Sequence, residues 1–359
     1  MIFMNLPLDN NIDTRVLSQI YDNTVATYKF YWFVSLLDIF VKTQKRQISF
    51  WKIIVGMIAE AWYPIHYFRL HFGKSDSLYE QIIALQKELN VPIDIKKEDL
   101  KSLLINKIDD DKVKLLLKVF TLNVPYRFLS PWITYRNDNE VIALSQKFHN
   151  NCIYAIKDKS VEINPLWENY LVENYGILRD FSFWNLTLFL QKRNPNVPDV
   201  PSKLIKPIQR DALTNQRKFW NDFIEINGSI QCIYTGKTLY KKEFDLDHFV
   251  PWSFVSHNLL WNLLPADASI NSSKSDNLPP LDIYLRPFAQ MHQKAIRTIF
   301  PINQNNKLFE DYFSIYDSVS ELVRMSEDDF LRVYQKTFSP LVQIAENMGF
   351  KYWQKSVSL

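Results

Sequence analysis

Three polar residues in the second half of the chain, Asp247, His248 and Asn271, are of the types needed to hydrolyse a phosphodiester. A carboxylate and a side-chain amide oxygen are hard ligands of the kind that Mg²⁺ or Mn²⁺ prefers. A histidine titrates near neutral pH, so it can take a proton from water while a cation neutralises charge on the ester. These residues predict a hydrolytic site with one metal ion, because no second carboxylate cluster lies nearby.

The elements that must position these residues are a strand, a loop, a second strand and a helix. Successive side chains of a strand point to opposite faces, so Asp247 and His248 are predicted to have separate tasks, as metal ligand and as base. The helix would carry Asn271 on its first turn. The predicted elements are the strand Phe244–Phe249, its stop at Pro251, the returning strand Trp261–Pro265 and a helix from Ala268 capped by Asp267.

This stretch resembles the HNH family, also called ββα-metal or His-Me finger nucleases. The similarity covers residues 232–277 and is greatest to the HNH domain of RNA-guided CRISPR effector nucleases. It implies nothing about a guide RNA, since the other nuclease parts and the recognition lobe of those proteins have no counterpart here. The motifs that carry the resemblance are Cys232-x-Tyr234-Thr235-Gly236, Asp245-x-Asp247-His248-x-Val250-Pro251-x-Ser253-Phe254, Asn262, and Asn271-x-x-Lys274-Ser275-Asp276-Asn277.

The resemblance implies a role for each matching residue. Asp247 and Asn271 would bind the metal, His248 would be the general base, and Asn262 would hold the backbone around His248 in place. Lys274 and Asp276 match accessory positions. The paired CxxC knuckles of many HNH proteins are absent, which argues against a structural zinc. The third position of the family motif is Asn271 rather than a histidine, which favours Mg²⁺ over a softer metal. The resemblance also implies cleavage of DNA, leaving 5′-phosphate and 3′-hydroxyl ends.

Positive charge is concentrated next to this motif. The net charge of +3 does not by itself indicate nucleic-acid binding. Residues 203–242, however, contain eight Lys or Arg against three Asp or Glu. This excess indicates either a nucleic-acid surface or the solvated face of a helix. For the first interpretation, the predicted contacts are Lys237, Lys241, Lys242, Arg217 and, from the motif, Lys274.

The composition, with 47% hydrophobic and 23% charged residues, is that of a folded protein rather than a disordered one. The most apolar runs, 30–41 and 51–65, contain charged residues, and the amino terminus lacks a basic start followed by an apolar core. These features predict a cytoplasmic protein without membrane contact. Cys152 and Cys232 are predicted to be reduced thiols, and His257 to be a solvated loop residue or a substrate contact.

The predicted fold class is α+β, with mainly α-helical N-terminal and C-terminal regions around a small ββα-metal domain. Apolar residues repeat at helical spacing over 14–40, and aromatic clusters at 28–32 and 61–68 either pack in a core or stack on bases. Three prolines in 195–201 place a boundary there. The predicted parts are a helical module of unknown role, 1–200, with a β-hairpin near 152–163, the HNH domain, 203–280, and a helical region, 281–359.

Two functions fit these observations. The first is an HNH endonuclease that cuts DNA in preference to RNA, which family analogy places in prokaryotic anti-phage defence or a restriction-type system. The second is a nucleic-acid-binding or scaffold protein whose HNH site is inactive or needs a partner. The sequence leaves a protein partner, an activating signal and a homo-oligomer open.

Overall fold

The computed structural model describes residues 6–74, 76–204 and 211–354. The chain divides into two compact units: unit 1 is Met1–Pro195 with Val200–Lys206, and unit 2 is Asn196–Asp199 with Pro207–Leu359. Helices dominate both units and the strands form small sheets, which confirms the α+β class. The domain limits given from the sequence stay a prediction. Over the described ranges, no helix combines the length and apolar character that a membrane crossing requires.

Unit 1 is helical apart from one antiparallel sheet. The predicted hairpin near 152–163 is confirmed. A third strand, Gln47–Ser49, which the sequence did not reveal, pairs antiparallel with the second strand of the hairpin, Ser160–Ile163. The elements are α1 (Thr14–Ser18), α2 (Tyr28–Thr43), β1 (Gln47–Ser49), α3 (Phe50–His66), α4 (Ser77–Leu89), α5 (Lys97–Asn106), α6 (Asp111–Leu122), α7 (Val124–Arg127), α8 (Asp138–Ser145), β2 (Tyr154–Lys157), β3 (Ser160–Ile163), α9 (Glu168–Glu173), α10 (Tyr175–Gln191) and α11 (Val200–Leu204).

The helical periodicity over 14–40 does not form one continuous helix. The chain leaves α1 after Ser18 and starts α2 at Tyr28, and between them Asn23 has a left-handed φ of 56°. Asn tolerates this conformation and competes with helix by bonding to nearby backbone, so a turn wins over the apolar spacing. The aromatic clusters of α2 and α3 pack inward, as Trp32 and Trp62 are buried.

Unit 2 surrounds a short strand pair with helices. The predicted helical character after residue 281 is confirmed, and the Ser326 hydroxyl caps the helix Glu327–Asn347 by accepting from Asp329 N at 3.1 Å. The elements are α12 (Thr214–Asn227), β4 (Ile230–Gln231), β5 (Thr238–Leu239), β6 (Asp245–His248), α13 (Trp252–Val255), β7 (Leu263–Ala266), α14 (Ala268–Lys274), α15 (Leu281–Ile299), α16 (Val319–Arg324) and α17 (Glu327–Asn347).

One hydrophobic core joins the strand pair to the helices that follow it. Phe249, directly after β6, stacks on Phe288 of α15 with ring centroids 4.0 Å apart and planes 5° apart. Trp261, just before β7, packs against Phe338 of α17 at 5.4 Å. Aromatic pairs of this kind contribute beyond the area they bury. The C-terminal helices therefore fix both strands of the candidate site.

Candidate active site

The centre of the site is the antiparallel pair of β6 and β7. Asp247 lies opposite Leu264, and His248 lies opposite Leu263. The two polar side chains leave the strand on different faces, as expected for adjacent strand residues. Asp247 is 3% exposed, whereas His248 is partly exposed. The strand therefore places a carboxylate inside unit 2 and an imidazole where water can reach it.

Helix α14 lies beside β6 and completes a strand–strand–helix arrangement. Its N-terminus is capped as predicted, because the Asp267 carboxylate accepts from Ser269 N at 2.9 Å. At its other end, the Lys274 ammonium donates to the backbone carbonyl of His248 at 2.7 Å. Asn271 stands three residues before Lys274, so both side chains leave the same side of the helix. The predicted ligand Asn271 thus lies on the same side of α14 as Lys274.

The Asp247 carboxylate is surrounded by donors. The Tyr234 hydroxyl donates to its Oδ2 at 2.8 Å, and the buried Lys274 ammonium lies 3.1 Å from each oxygen. Burial raises the pKa of Asp247, while Lys274 and Tyr234 act in the opposite direction. The net rise means that the existing donors do not fully compensate the ionised carboxylate.

A tight turn places Tyr234 against this carboxylate. Gly236 has a left-handed φ of +74°, which a glycine adopts without strain, and its N–H donates to the Cys232 carbonyl at 2.8 Å. The buried Cys232 thiol in turn accepts from Asp267 N at 3.5 Å. The turn thereby ties Tyr234 to the cap of α14. Sequence reasoning quoted this motif but assigned Tyr234 no role.

His248 has a side-chain partner from the loop between the strands. Its Nε2 lies 3.0 Å from Oδ1 of Asn258. The neighbouring His257 ring accepts a hydrogen bond from Leu259 N at 3.3 Å. No motif pointed to Asn258, since its signal lies in three-dimensional proximity rather than in spacing.

Asn262 is buried and bonds to the backbone just after His248. Its amide oxygen accepts from Val250 N, and its amide nitrogen donates to the Val250 carbonyl, both at 2.9 Å. Its own carbonyl accepts from Phe249 N at 2.8 Å. Because both its amide oxygen and its amide nitrogen are bonded to Val250, Asn262 fixes the backbone where it leaves β6.

This segment matches a known family. The HNH endonuclease model matches residues 232–280. The chain contains an HNH domain. Curated relatives similar to it include two proteins named CRISPR-associated endonuclease Cas9. The one from Streptococcus mutans is 29% identical over 93 residues, 24% of this chain and 7% of the relative. The one from Listeria innocua is 26% identical over 160 residues, 43% of this chain and 11% of the relative.

The chain thus corresponds to only a small part of these relatives. No solved structure gives a significant match. The family match and the similarity to two endonucleases support a nuclease function for the HNH domain. All of unit 1 lies outside the family match.

The cations predicted to bind nucleic acid do not form one free surface. Lys237 pairs with Asp267 at 2.6 Å, and Lys241 pairs with Glu225 at 2.6 Å. The Arg217 guanidinium donates to the Phe244 carbonyl at 2.8 Å, which ties α12 to the start of β6. Lys242 is exposed. Lys274 differs most from the expectation: its side chain is 0% exposed and lies on Asp247, so it is not a surface contact for phosphate.

The Asp247 carboxylate is the group of the HNH domain whose chemistry suits a hard divalent cation. A carboxylate has about four lone-pair positions. Lys274 and Tyr234 account for three contacts, which leaves a position on Oδ1. Burial raises the pKa of Asp247, and a further positive charge beside it would favour the ionised form. Within the described ranges, no three His, Cys, Asp or Glu side chains group to hold a metal. The remaining ligands would be Asn271, water and substrate oxygens.

Proposed function

We propose that the protein is a metal-dependent HNH endonuclease that hydrolyses phosphodiester bonds of DNA. His248 is the general base, and Asp247 and Asn271 hold one Mg²⁺ or Mn²⁺ ion. The observation that carries this proposal is the placement of Asp247 and His248 on opposite faces of β6, with α14 alongside, inside the segment that the family model matches. This arrangement separates the metal ligand from the base, as the chemistry requires.

The proposed reaction is the attack of a water molecule on phosphorus. His248 takes a proton from a water molecule, whose oxygen then bonds to phosphorus. The bond from phosphorus to the 3′ oxygen breaks, and the leaving oxygen gains a proton from solvent, which yields 5′-phosphate and 3′-hydroxyl ends. When bound, the divalent cation supplies positive charge to the phosphate oxygens. Asn262 keeps the strand end, and therefore the imidazole, in position by its two bonds to Val250.

The test is cleavage of supercoiled plasmid by the purified full chain with Mg²⁺ or Mn²⁺. We expect His248→Ala to lower the rate by at least about 100-fold, the usual contribution of a general base, while binding to DNA persists. His149→Ala is the matched control, because His149 is an exposed histidine of unit 1. Equal cutting by the two variants would exclude His248 as the base. An RNA substrate of the same sequence tests the preference for DNA.

A second function is favoured by the position of Lys274. Its ammonium contacts both oxygens of Asp247, and the carboxylate is only 3% exposed. In this arrangement the carboxylate is covered, which suits a nucleic-acid-binding component that stays silent until a partner or signal rearranges α14. DNA binding without cleavage under either metal, followed by cleavage once a partner is added, is the result expected for such a protein.

The biological setting rests on the relatives. Both are named as CRISPR-associated endonucleases, and HNH endonucleases generally use divalent metal ions. We propose a cytoplasmic nuclease of prokaryotic anti-phage defence or of a restriction-type system. One HNH site cuts one strand, so a homo-oligomer would allow double-strand cleavage.

A further inference from the structure

The loop between the two strands of the HNH domain presents an oxygen to His248. Oδ1 of Asn258 lies 3.0 Å from Nε2 of the imidazole. An amide oxygen only accepts hydrogen bonds, so this contact is a hydrogen bond when the hydrogen lies on Nε2. In a neutral imidazole with its hydrogen on Nε2, Nδ1 carries the lone pair that can take a proton. The contact therefore bears on the tautomer and the orientation of the imidazole.

Residues distant in sequence hold this loop in place. Gln216 of α12 donates its side-chain amide to the Asn258 carbonyl at 3.0 Å. Asp311, in the 3₁₀ segment Lys307–Ser314, accepts from Leu260 N at 2.6 Å. The two contacts come from residues before and after the segment 232–280 that the family model matches. Neither side chain belongs to an HNH motif, and both fix the backbone on which Asn258 stands.

We propose that Asn258 is a positioning residue that selects the Nε2–H tautomer of His248, and that Asp311 supports it by holding the loop. This inference rests on the proposed function, in which His248 is the base. A neutral amide suits the task, because it keeps accepting from Nε2–H both before and after the imidazole takes a proton. In the other tautomer the lone pair of Nε2 would meet the Asn258 oxygen, and the hydrogen bond would be lost.

The tautomer can be measured without metal or substrate. In the full chain labelled with ¹⁵N-histidine, long-range ¹H–¹⁵N correlation distinguishes the two ring nitrogens, and His248→Gln assigns the signal. We expect the Nε2–H form in the unmodified protein and a mixture of tautomers in Asn258→Leu, which keeps the side-chain size but removes the oxygen. Asn215→Leu is the matched control, because Asn215 is an exposed asparagine of α12. An unchanged tautomer in Asn258→Leu overturns the proposal.

Kinetics show whether the tautomer matters for cleavage. We expect Asn258→Leu to lower kcat about 10- to 100-fold, part of the usual contribution of a general base, with KM changed less than about 2-fold. Asp311→Ala should lower kcat in the same direction by less. Asp311→Asn, which can still accept from Leu260 N, should stay near the unmodified rate. A tautomer shift without loss of kcat contradicts the positioning role.

The two proposals fail in different ways. If His248→Ala cuts DNA like the unmodified protein, the proposed function fails. If His248→Ala is inactive while Asn258→Leu keeps both the tautomer and kcat, only the role of Asn258 fails. Asp311→Ala leaves Asn258 itself intact, so it tests the loop even where Asn258→Leu perturbs folding.

Discussion

At the scale of residues, the site depends on a buried charge pair. Asp247 and Lys274 have side chains that are 4% and 0% exposed, and they bond to each other and to Tyr234 and the His248 carbonyl. A buried ion pair adds little net stability, because both charges lose their hydration. Removing one partner is different, since it leaves the other charge buried and uncompensated.

Lys274→Met is therefore expected to destabilise unit 2 strongly. Methionine fills a similar space but offers no charge to Asp247, so the free energy of unfolding should fall by about 3–5 kcal/mol. Urea unfolding at pH 7 measures the change. Lys218→Met is the control: its ion pair with Asp222 is largely exposed and should contribute less than about 1 kcal/mol. If both variants lose the same small amount, Lys274 does not compensate Asp247.

The sequence predicted the chemical types at this scale better than their contacts. Asp247, His248 and Asn271 came from motif spacing, and the structure places them on β6 and α14. The burial of Lys274 could not be foreseen, because a lysine in a motif is equally compatible with a buried ion pair and with a surface contact to phosphate. Tyr234 and Asn258 gain their roles only when a turn and a loop fold back on β6.

At the scale of elements, the cap of α14 decides where Asn271 and Lys274 stand. Asp267 accepts from Ser269 N and pairs with Lys237, and these bonds lower its pKa to about 2, with Lys237 as the largest cause. A lowered pKa means that the ionised carboxylate favours the folded state above about pH 4, its ordinary range, and that this contribution is lost as the pH falls towards 2. At neutral pH the cap is fully present.

Two substitutions of Asp267 separate the cap from the charge. Asp267→Ala removes the acceptor for the first turn of α14, so we expect a lower Tm and a slower cleavage rate. Asp267→Asn keeps an acceptor and loses only the ion pair with the exposed Lys237, so it should lie close to the unmodified protein in both measurements. Equal effects of the two would show that charge, not capping, holds the helix.

The sequence predicted those elements that are determined by residues close together in the chain. The cap at Asp267 and the hairpin at 152–163 depend on neighbouring residues, and both are confirmed. The strand β1 was missed because its three residues pair only with β3, more than a hundred residues away in the chain. The break between α1 and α2 was missed because apolar spacing continues across a turn.

At the scale of the whole molecule, unit 2 is built around a histidine with no catalytic task. His292 of α15 is 0% exposed, donates to or accepts from the Tyr312 hydroxyl at 2.8 Å, and packs on Trp220 of α12 and Tyr334 of α17. Burial lowers the pKa of His292 to about 3. The helices around the HNH domain thus meet on an imidazole that is neutral in the folded state.

This histidine makes unit 2 sensitive to acid. Below about pH 6.5 the unfolded chain binds a proton at His292, whereas the folded chain does so only near pH 3. Stability should therefore fall as the pH drops from 6.5, by up to about 1.4 kcal/mol per pH unit from this group alone. His292→Gln, which can still bond to Tyr312 but does not titrate, should flatten that slope between pH 6 and 4.

Urea unfolding of the full chain at several pH values measures this slope, and hydrogen exchange of β6 and α15 reports on unit 2. The exposed His149→Gln should keep the original slope, and the same steep slope in His292→Gln would place the acid sensitivity elsewhere in the molecule.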